Sequence, residues 1–175
     1  ERLTYFLSTK IFCNSFGLQK YINNNLTSLP ITVVGQGSIN GVDTEYFKNK
    51  HNKEEELEVK NTYNISKDDF VITFIGRLVK DKGINELVES FIILLKKYPN
   101  LKLLLVGVYE DNLYKIDKET EQLINESNAI ITAGFQKDTR KFLSITDLFT
   151  LPSYREGLSN ALIEAGSFGV PLLAT

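Results

Sequence analysis

Apolar and polar residues alternate in blocks along most of the 175-residue chain. From residue 69 onward, short apolar runs are separated by longer stretches in which apolar residues recur every three or four positions. The first pattern predicts buried strands and the second predicts amphipathic helices. Strands are predicted at residues 70–75, 101–106, 129–132, 148–151 and 172–174. Because strands and helices alternate along the chain, the predicted fold class is α/β with a doubly wound, Rossmann-like parallel sheet.

The connecting stretches predict helices at residues 84–97, 112–127, 138–144 and 158–168. The region before residue 69 has a different pattern. Two short strands, at residues 10–14 and 31–34, flank a helix at residues 16–24, and a glycine-containing loop follows. Residues 46–68 are strongly charged and predict a solvated helix or linker. The pattern therefore divides the chain into residues 1–45, 46–68 and 69–175.

Composition excludes several classes of function. The formal net charge is −2, so the basic surface typical of nucleic-acid binding is absent and no nucleic-acid partner is predicted. The single cysteine, Cys13, excludes an internal disulfide and a cysteine metal cluster. The single histidine, His51, lies in a polar stretch and is predicted to be a solvated surface residue. No apolar run reaches the roughly 20 residues of a membrane span.

Two carboxylates stand eight residues apart near the end of the chain, at Glu156 and Glu164. Glu156 follows Pro152 and Ser153 in a predicted loop, and Glu164 lies within the next predicted helix. The first N–H groups of a helix are unpaired and attract anions. A carboxylate nearby can accept hydrogen bonds from sugar or ribose hydroxyls. This spacing predicts a cradle for a nucleotide sugar.

Two cations, Arg77 and Lys82, follow the first strand of the predicted sheet. Ligands of doubly wound sheets bind at the carboxyl ends of the strands. Arg supplies a planar fork and Lys a compact charge, and together they can hold a diphosphate. The alternative is that both are exposed basic residues near a helix start. A cationic pair at a helix N-terminus is unfavourable to the helix dipole, which favours a bound anion.

Three motifs together resemble the retaining glycosyltransferases of family four, which have the GT-B fold. They are the Glu156-x7-Glu164 pair followed by Gly-x-Pro, the Gly-Arg-Leu-x-x-x-Lys-Gly block at residues 76–83, and Asn-Gly-Val-Asp at residues 40–43. The likeness runs from about residue 31 to residue 175. The stretch at residues 35–43 is similar to bacterial capsule and lipopolysaccharide enzymes of that family. The resemblance implies that residues 69–175 are a donor-binding domain, incomplete at its C-terminus, in the C-terminal half of a truncated GT-B fold.

The resemblance implies a role for each motif residue. Glu164 would bind the ribose hydroxyls and Glu156 the sugar hydroxyls, and Glu156, Arg77 and Lys82 would be the catalytic residues. The implied donor-binding residues are Gly76, Arg77, Lys82, Phe135, Gln136, Glu156, Gly157, Leu158, Ser159 and Glu164. Phe135 follows the third strand of the sheet, where it either stacks on the base or is a core residue.

The implied function is transfer of a sugar, with retention, from a nucleotide sugar such as a UDP-sugar to a polysaccharide or lipid-linked acceptor. No metal or other cofactor is implied, because Arg77 and Lys82 can neutralise the diphosphate. The implied enzyme is cytoplasmic, and peripheral association with the inner face of the membrane is left open. Two alternatives remain: a UDP-sugar 2-epimerase of the same fold, and a non-catalytic nucleotide-binding module.

The resemblance also gives the first region an interpretation. Residues 1–45 would be the remnant of an acceptor-binding N-terminal domain and its linker. We therefore expect this chain alone to transfer no sugar, because transfer needs the acceptor held in reacting geometry. We also expect the apolar residues of its two strands to lack sheet partners and to be poorly ordered or adhesive, namely Ile11, Phe12, Ile31, Val33 and Val34.

Overall fold

A computed structural model describes residues 2–37, 41–48, 52–110 and 114–175. Predictions for Asn40, His51 and the start of the helix at Asn112 lie outside the described residues. The chain divides into two compact units. The first comprises Glu1–Val42 with Glu156–Asn160, and the second comprises Asp43–Arg155 with Ala161–Thr175. The predicted boundary after residue 45 lies three residues beyond the division after Val42. The assignment of residues 1–45 to an acceptor domain stays a prediction.

The first unit is a small strand–helix–strand arrangement preceded by a short helix. Its elements are α1 (Arg2–Phe6), β1 (Ile11–Cys13), α2 (Phe16–Asn25) and β2 (Ile31–Val33). β1 and β2 pair in parallel, with Ile11 opposite Ile31. These two residues and Ile22 of α2 are buried against one another. The Ser15 side chain caps α2 by accepting a hydrogen bond from the N–H of Leu18 at 3.2 Å.

The expectation that the strands of this unit lack sheet partners is wrong. β1 and β2 supply each other's backbone hydrogen bonds, and one apolar side chain of each strand is buried. The expectation of adhesive apolar surface fits the exposed side chains: Phe12 is 61% exposed and Val34 is 63% exposed. The periodicity of a single strand does not show which strand it pairs with, so this pairing was missed.

The second unit is a five-stranded parallel sheet with helices in the connections. Its elements are α3 (Lys53–Thr62), β3 (Phe70–Ile75), α4 (Ile84–Leu95), β4 (Leu101–Val106), α5 (Lys118–Glu126), β5 (Ile130–Gly134), α6 (Arg140–Leu143), β6 (Leu148–Leu151), α7 (Asn160–Ser167) and β7 (Leu172–Ala174). The strand order is β5-β4-β3-β6-β7. All neighbouring strands are parallel. The predicted fold class is confirmed.

The sheet supplies the main core of the molecule. β3 and β4 pair along their whole length, from Phe70 opposite Leu101 to Ile75 opposite Val106. Their inner residues have almost no exposed surface, as expected for strands covered on both faces. Four of the five strands have the predicted bounds. The helices are shorter than predicted, and α6 begins at Arg140 because Asp138 binds the N–H of Arg140 with its side chain at 3.0 Å.

The charged stretch before the sheet forms a helix that belongs to the second unit. α3 begins after Asn52, whose side-chain oxygen accepts hydrogen bonds from the N–H groups of Glu54 and Glu55. Val59 on its inner side is buried in the main core. The predicted helix is present, but through Val59 it contributes to packing and is not wholly solvated.

Candidate functional site

The sheet has a topological switch point between β3 and β6. From β3 the chain proceeds to β4 and β5 on one side, and β6 and β7 lie on the other side. Asp147 fixes the junction, because its carboxylate accepts from the N–H of Val71 at 2.8 Å and its own N–H donates to the oxygen of Val71 at 2.9 Å. Crevices at such points bind ligands at the carboxyl ends of the strands. The Arg77–Lys82 motif follows β3 and the Pro152–Arg155 segment follows β6, so the two flank the switch point.

The segment after β3 is held against the segment after β4 by backbone contacts. The N–H of Gly76 donates to Val106 at 2.9 Å and that of Leu78 donates to Val108 at 2.8 Å. A side chain at Gly107 would lie 1.8 Å from the oxygen of Gly76. Gly107 therefore permits a close backbone approach that any side chain would block. This contact fixes the backbone on both sides of Arg77.

Arg77 carries an exposed guanidinium that already has a partner. Its side chain is 59% exposed, and Nη1 donates to Glu110 Oε2 at 2.9 Å. Among the described residues, Glu110 is the one carboxylate that contacts this guanidinium, so the rest of the planar fork can still bind an oxyanion. The apolar pattern of the sequence carries no signal for Glu110, because this residue lies beyond the end of the apolar run that forms β4.

Lys82 ends a 3-10 helical turn, Lys80–Lys82, that leads directly into α4. Its side chain is half-buried. Gly83 follows in the left-handed conformation, with φ of 70°, and as the N-cap of α4 it brings no side chain to the helix N-terminus. Lys80 in the same turn pairs with Asp117 at 2.5 Å. The N-terminus of a twelve-residue helix and the neighbouring Lys82 together suit an anion.

The loop after β6 packs directly on this turn. A side chain at Gly83 would lie 2.0 Å from the oxygen of Pro152. The N–H of Tyr154 donates to the oxygen of Asp81 at 2.9 Å, and its hydroxyl donates to Glu86 at 2.8 Å. Two motifs that are about seventy residues apart in sequence are thus joined within the second unit. The Tyr154–Glu86 contact was not predicted, because sequence spacing does not show which residues meet across neighbouring strands.

Glu164 lies on α7, inside the second unit, as a half-buried carboxylate. Burial raises the pKa of its carboxyl above the ordinary value. Among the residues that the structure describes, none donates a hydrogen bond to this carboxylate or forms an ion pair with it. A carboxylate removed from water without a donor is costly, and ribose hydroxyls could supply the missing donors.

The segment Glu156–Asn160 belongs to the first unit. Glu156 is exposed, and Leu158 and Ser159 are half-buried. A side chain at Gly157 would lie 2.4 Å from the side-chain oxygen of Asn14, so this glycine accommodates an asparagine of the same unit. The second unit brings together Gly76, Arg77 and Lys82 with the 152–155 loop, but Glu156, Gly157, Leu158 and Ser159 are not part of it.

Phe135 and Gln136 follow β5 on the same edge of the sheet. Phe135 is 75% exposed, which excludes the core alternative and leaves its ring available for stacking. The side-chain amide of Gln136 donates to the oxygen of Ala133 at 2.7 Å. Gln136 therefore stabilises the turn after β5, and its contact with a base stays a prediction.

Other features of the second unit lie apart from these residues. A cavity of about 660 Å³ is bordered by α3 and α6, and none of the predicted site residues lines it. In the described part of the chain, no group of three or more His, Cys, Asp or Glu residues could hold a metal ion. Searching the same residues for a helix long and apolar enough to cross a bilayer found none.

Comparison with known proteins identifies relatives that are all described as glycosyltransferases. Residues 53–175 match the family described as glycosyl transferases group 1. The chain is 36% identical to the capsular polysaccharide biosynthesis glycosyltransferase CapM of Staphylococcus aureus, covering all of this chain and 45% of CapM. It is 29% identical to the lipopolysaccharide core biosynthesis glycosyltransferase LpsE of Rhizobium meliloti, over 99% of this chain and 46% of LpsE. The chain thus spans a little under half the length of these curated relatives.

Solved structures show the same fold. Anabaena HepE in complex with UDP and glucose superimposes with a TM-score of 0.76 at 20% identity, covering 98% of this chain and 45% of HepE. The C-terminal domain of the group 1 glycosyl transferase LpcC from Francisella tularensis gives a TM-score of 0.64 at 28% identity, covering 77% of this chain and 70% of that domain. The five-stranded unit corresponds to the C-terminal half of the GT-B fold. With the family matched over residues 53–175, the chain belongs to the glycosyl transferases group 1.

Proposed function

We propose that this chain binds a nucleotide sugar and forms the donor half of a retaining glycosyltransferase. The observation that carries the proposal is the pair of motifs at the switch point. The turn bearing Arg77 and Lys82 follows β3, the 152–155 loop that packs on it follows β6, and α7 with the half-buried Glu164 comes next. The family match favours a transferase over the UDP-sugar 2-epimerase and over a non-catalytic module.

The cations would act on the diphosphate. Arg77 and Lys82, with the N-terminus of α4, neutralise its charge during binding. When the bond from the sugar to the phosphate oxygen breaks, negative charge grows on the leaving phosphate. Cations already in place stabilise that charge without reorganising, which lowers the barrier. This chemistry needs no divalent metal, so we propose that donor binding is independent of one.

The remaining predicted residues would recognise the nucleoside and the sugar. Glu164 accepts hydrogen bonds from the ribose hydroxyls, and Phe135 stacks on the base with Gln136 beside it. Glu156 accepts hydrogen bonds from the sugar hydroxyls, and the backbone of residues 157–159 binds phosphate or sugar. The exposed ring of Phe135 and the carboxylate of Glu164, which has no hydrogen-bond donor among the described residues, support the first two assignments.

The donor and acceptor classes are proposed from the relatives. HepE was solved with UDP and glucose, which supports a UDP-sugar donor here. CapM and LpsE are named for capsule and lipopolysaccharide biosynthesis, which supports a polysaccharide or lipid-linked acceptor. An enzyme of this kind would act in the cytoplasm, where the donors are made, with peripheral association at the inner face of the membrane.

Calorimetric titration of the chain with UDP-glucose tests the proposal. We expect Arg77→Ala and Lys82→Ala each to weaken binding by roughly 10- to 150-fold, since each removes a charged hydrogen bond worth about 1.5–3 kcal/mol. Lys97→Ala is the matched control, because Lys97 lies beyond the opposite end of α4. Titrations in EDTA and in Mg²⁺ should agree. Equal affinity of all variants, or a large gain with metal, would contradict the proposal.

A further inference from the structure

Glu110 occupies a fixed position beside the proposed diphosphate site. It follows Tyr109, which forms a parallel bridge with Leu78, and the N–H of Leu78 binds the oxygen of Val108. These backbone contacts hold residues 108–110 alongside residues 76–78. The 2.9 Å contact between Glu110 and Arg77 therefore follows from the backbone arrangement and not from a chance meeting of two long side chains.

A carboxylate at this position opposes the binding of a polyanion. It offsets the charge of Arg77, and Asp117 does the same for Lys80 in the next turn. A site that only needed to bind phosphate tightly would do so better if no carboxylate offset the charge of Arg77 or Lys80. The opposing charge can instead distinguish ligands that differ in charge by one unit.

The donor and the nucleotide product of the proposed reaction differ in this way. During transfer, the bond between the sugar carbon and the phosphate oxygen breaks and its electron pair stays on the oxygen. The sugar carbon bonds to the acceptor oxygen, which releases its proton. The terminal phosphate, singly charged as an ester, becomes a free group with a second pKa of about 6 and gains about one negative charge at neutral pH.

We propose that Glu110 is a specificity-determining residue that lowers affinity for a nucleoside diphosphate relative to the matching nucleotide sugar. This inference rests on the proposed function of the site. The Glu110 carboxylate penalises the additional charge of the product and so promotes its release, while Arg77 continues to bind the ester form. The effect is electrostatic, so it depends on ionic strength and on the protonation of the terminal phosphate.

The experiment compares UDP with UDP-glucose by calorimetry at about pH 7.5 in low salt. We expect Glu110→Gln to tighten UDP by roughly 2- to 5-fold more than it tightens UDP-glucose, the range for one solvent-exposed charge pair. Glu45→Gln is the control, because it removes one negative charge from an exposed pair with Lys48. It should leave the ratio of the two affinities unchanged.

Two measurements on the unaltered chain need no folded variant. Near pH 5.5 the terminal phosphate of UDP is mostly protonated, so the affinity for UDP should rise relative to that for UDP-glucose. Raising the salt concentration to about 0.5 M should shift this ratio in the same direction. An unchanged ratio in Glu110→Gln, or weaker UDP binding by that variant, overturns the inference alone. Failure of the unaltered chain to bind either ligand overturns the proposed function with it.

Discussion

The charge of the Glu164 carboxylate suits a ligand that donates hydrogen bonds, but burial disfavours that charge in the chain without a ligand. The carboxylate is half-buried, it has no donor among the described residues, and burial raises its pKa. The folded chain therefore holds a proton at pH values where the unfolded chain has lost it. Stability falls as the pH rises from the ordinary value of 4.5 through the raised pKa, and the loss is complete above it. A ligand that donates hydrogen bonds would remove the cost.

Replacing Glu164 with glutamine should change stability and binding in opposite directions. Glutamine keeps the shape of the side chain without the buried charge, so we expect a higher unfolding temperature at pH 7. UDP-glucose affinity should fall by about 1–3 kcal/mol, because charged hydrogen bonds to the ribose are lost. Differential scanning calorimetry and titration calorimetry measure the two effects. A variant that is both less stable and unchanged in affinity would show that Glu164 is only structural.

The same side chain predicts a pH dependence of donor binding. The ionised carboxylate is the form that accepts hydroxyl hydrogen bonds, so affinity should fall as the pH is lowered from about 7 towards the raised pKa. UDP-glucose is the suitable ligand, since both of its phosphates are esterified and do not titrate in this range. In Glu164→Gln the affinity profile should be flatter. An identical slope in both proteins would assign the titration to another group.

At the level of elements, the turn before α4 depends on a glycine. Gly83 has a φ of 70°, and a methyl group there would lie 2.0 Å from the backbone oxygen of Pro152. That oxygen cannot move away easily, because the same loop is held to the turn by the Tyr154–Asp81 backbone bond. The contact joins the 3-10 turn to the loop after β6, so its loss should affect both motifs.

We expect Gly83→Ala to lower stability by about 2–4 kcal/mol, from left-handed strain plus a backbone clash. Gly169→Ala is the matched control, since its φ is 83° but, apart from its chain neighbours, no atom of the described residues lies within 4 Å of the added methyl group. It should cost only about 1–2 kcal/mol. Thermal unfolding followed by circular dichroism compares the two. Equal losses would mean that the approach of Pro152 is unimportant.

The sequence predicted the sheet strands with most of their ends, but it predicted helices that are longer than those in the structure. β3 and β4 were located because continuous apolar runs bounded by polar residues are distinctive. The start of α6 was missed because the Asp138 side chain competes for the N–H of Arg140 just inside the predicted helix. The cations and Glu164 could be found from motif spacing. Glu110 could not, because its contact with Arg77 depends on how the segments after β3 and β4 align.

For the whole molecule, the two units differ greatly in core size. Among the described residues, Ile11, Ile22 and Ile31 make the buried core of the first unit, whereas the second has a continuous core on both sides of its sheet. Local stability follows the amount of buried apolar contact. The first unit should therefore open more readily than the second.

Hydrogen exchange followed by mass spectrometry tests this difference. Amides of β1 and β2 should exchange much faster than those of β3 and β4, which pair along six residues each. Added UDP-glucose should slow exchange in the turn at Lys80–Lys82, which belongs to the proposed donor site. Equal protection of β1 and β3 would show that the first unit is stabilised by more than its own core.

The division into units does not follow a single cut in the chain. The polypeptide passes from one unit to the other three times, after Val42, after Arg155 and after Asn160. A protease that nicked the chain between Val42 and Asp43 would leave residues 156–160, which belong to the first unit, on the larger piece. The two pieces should therefore reassociate after cleavage. Polypeptides of residues 1–42 and 43–175, expressed separately, should reassemble in the same way, and their reassembly inside a cell would show that both units fold there.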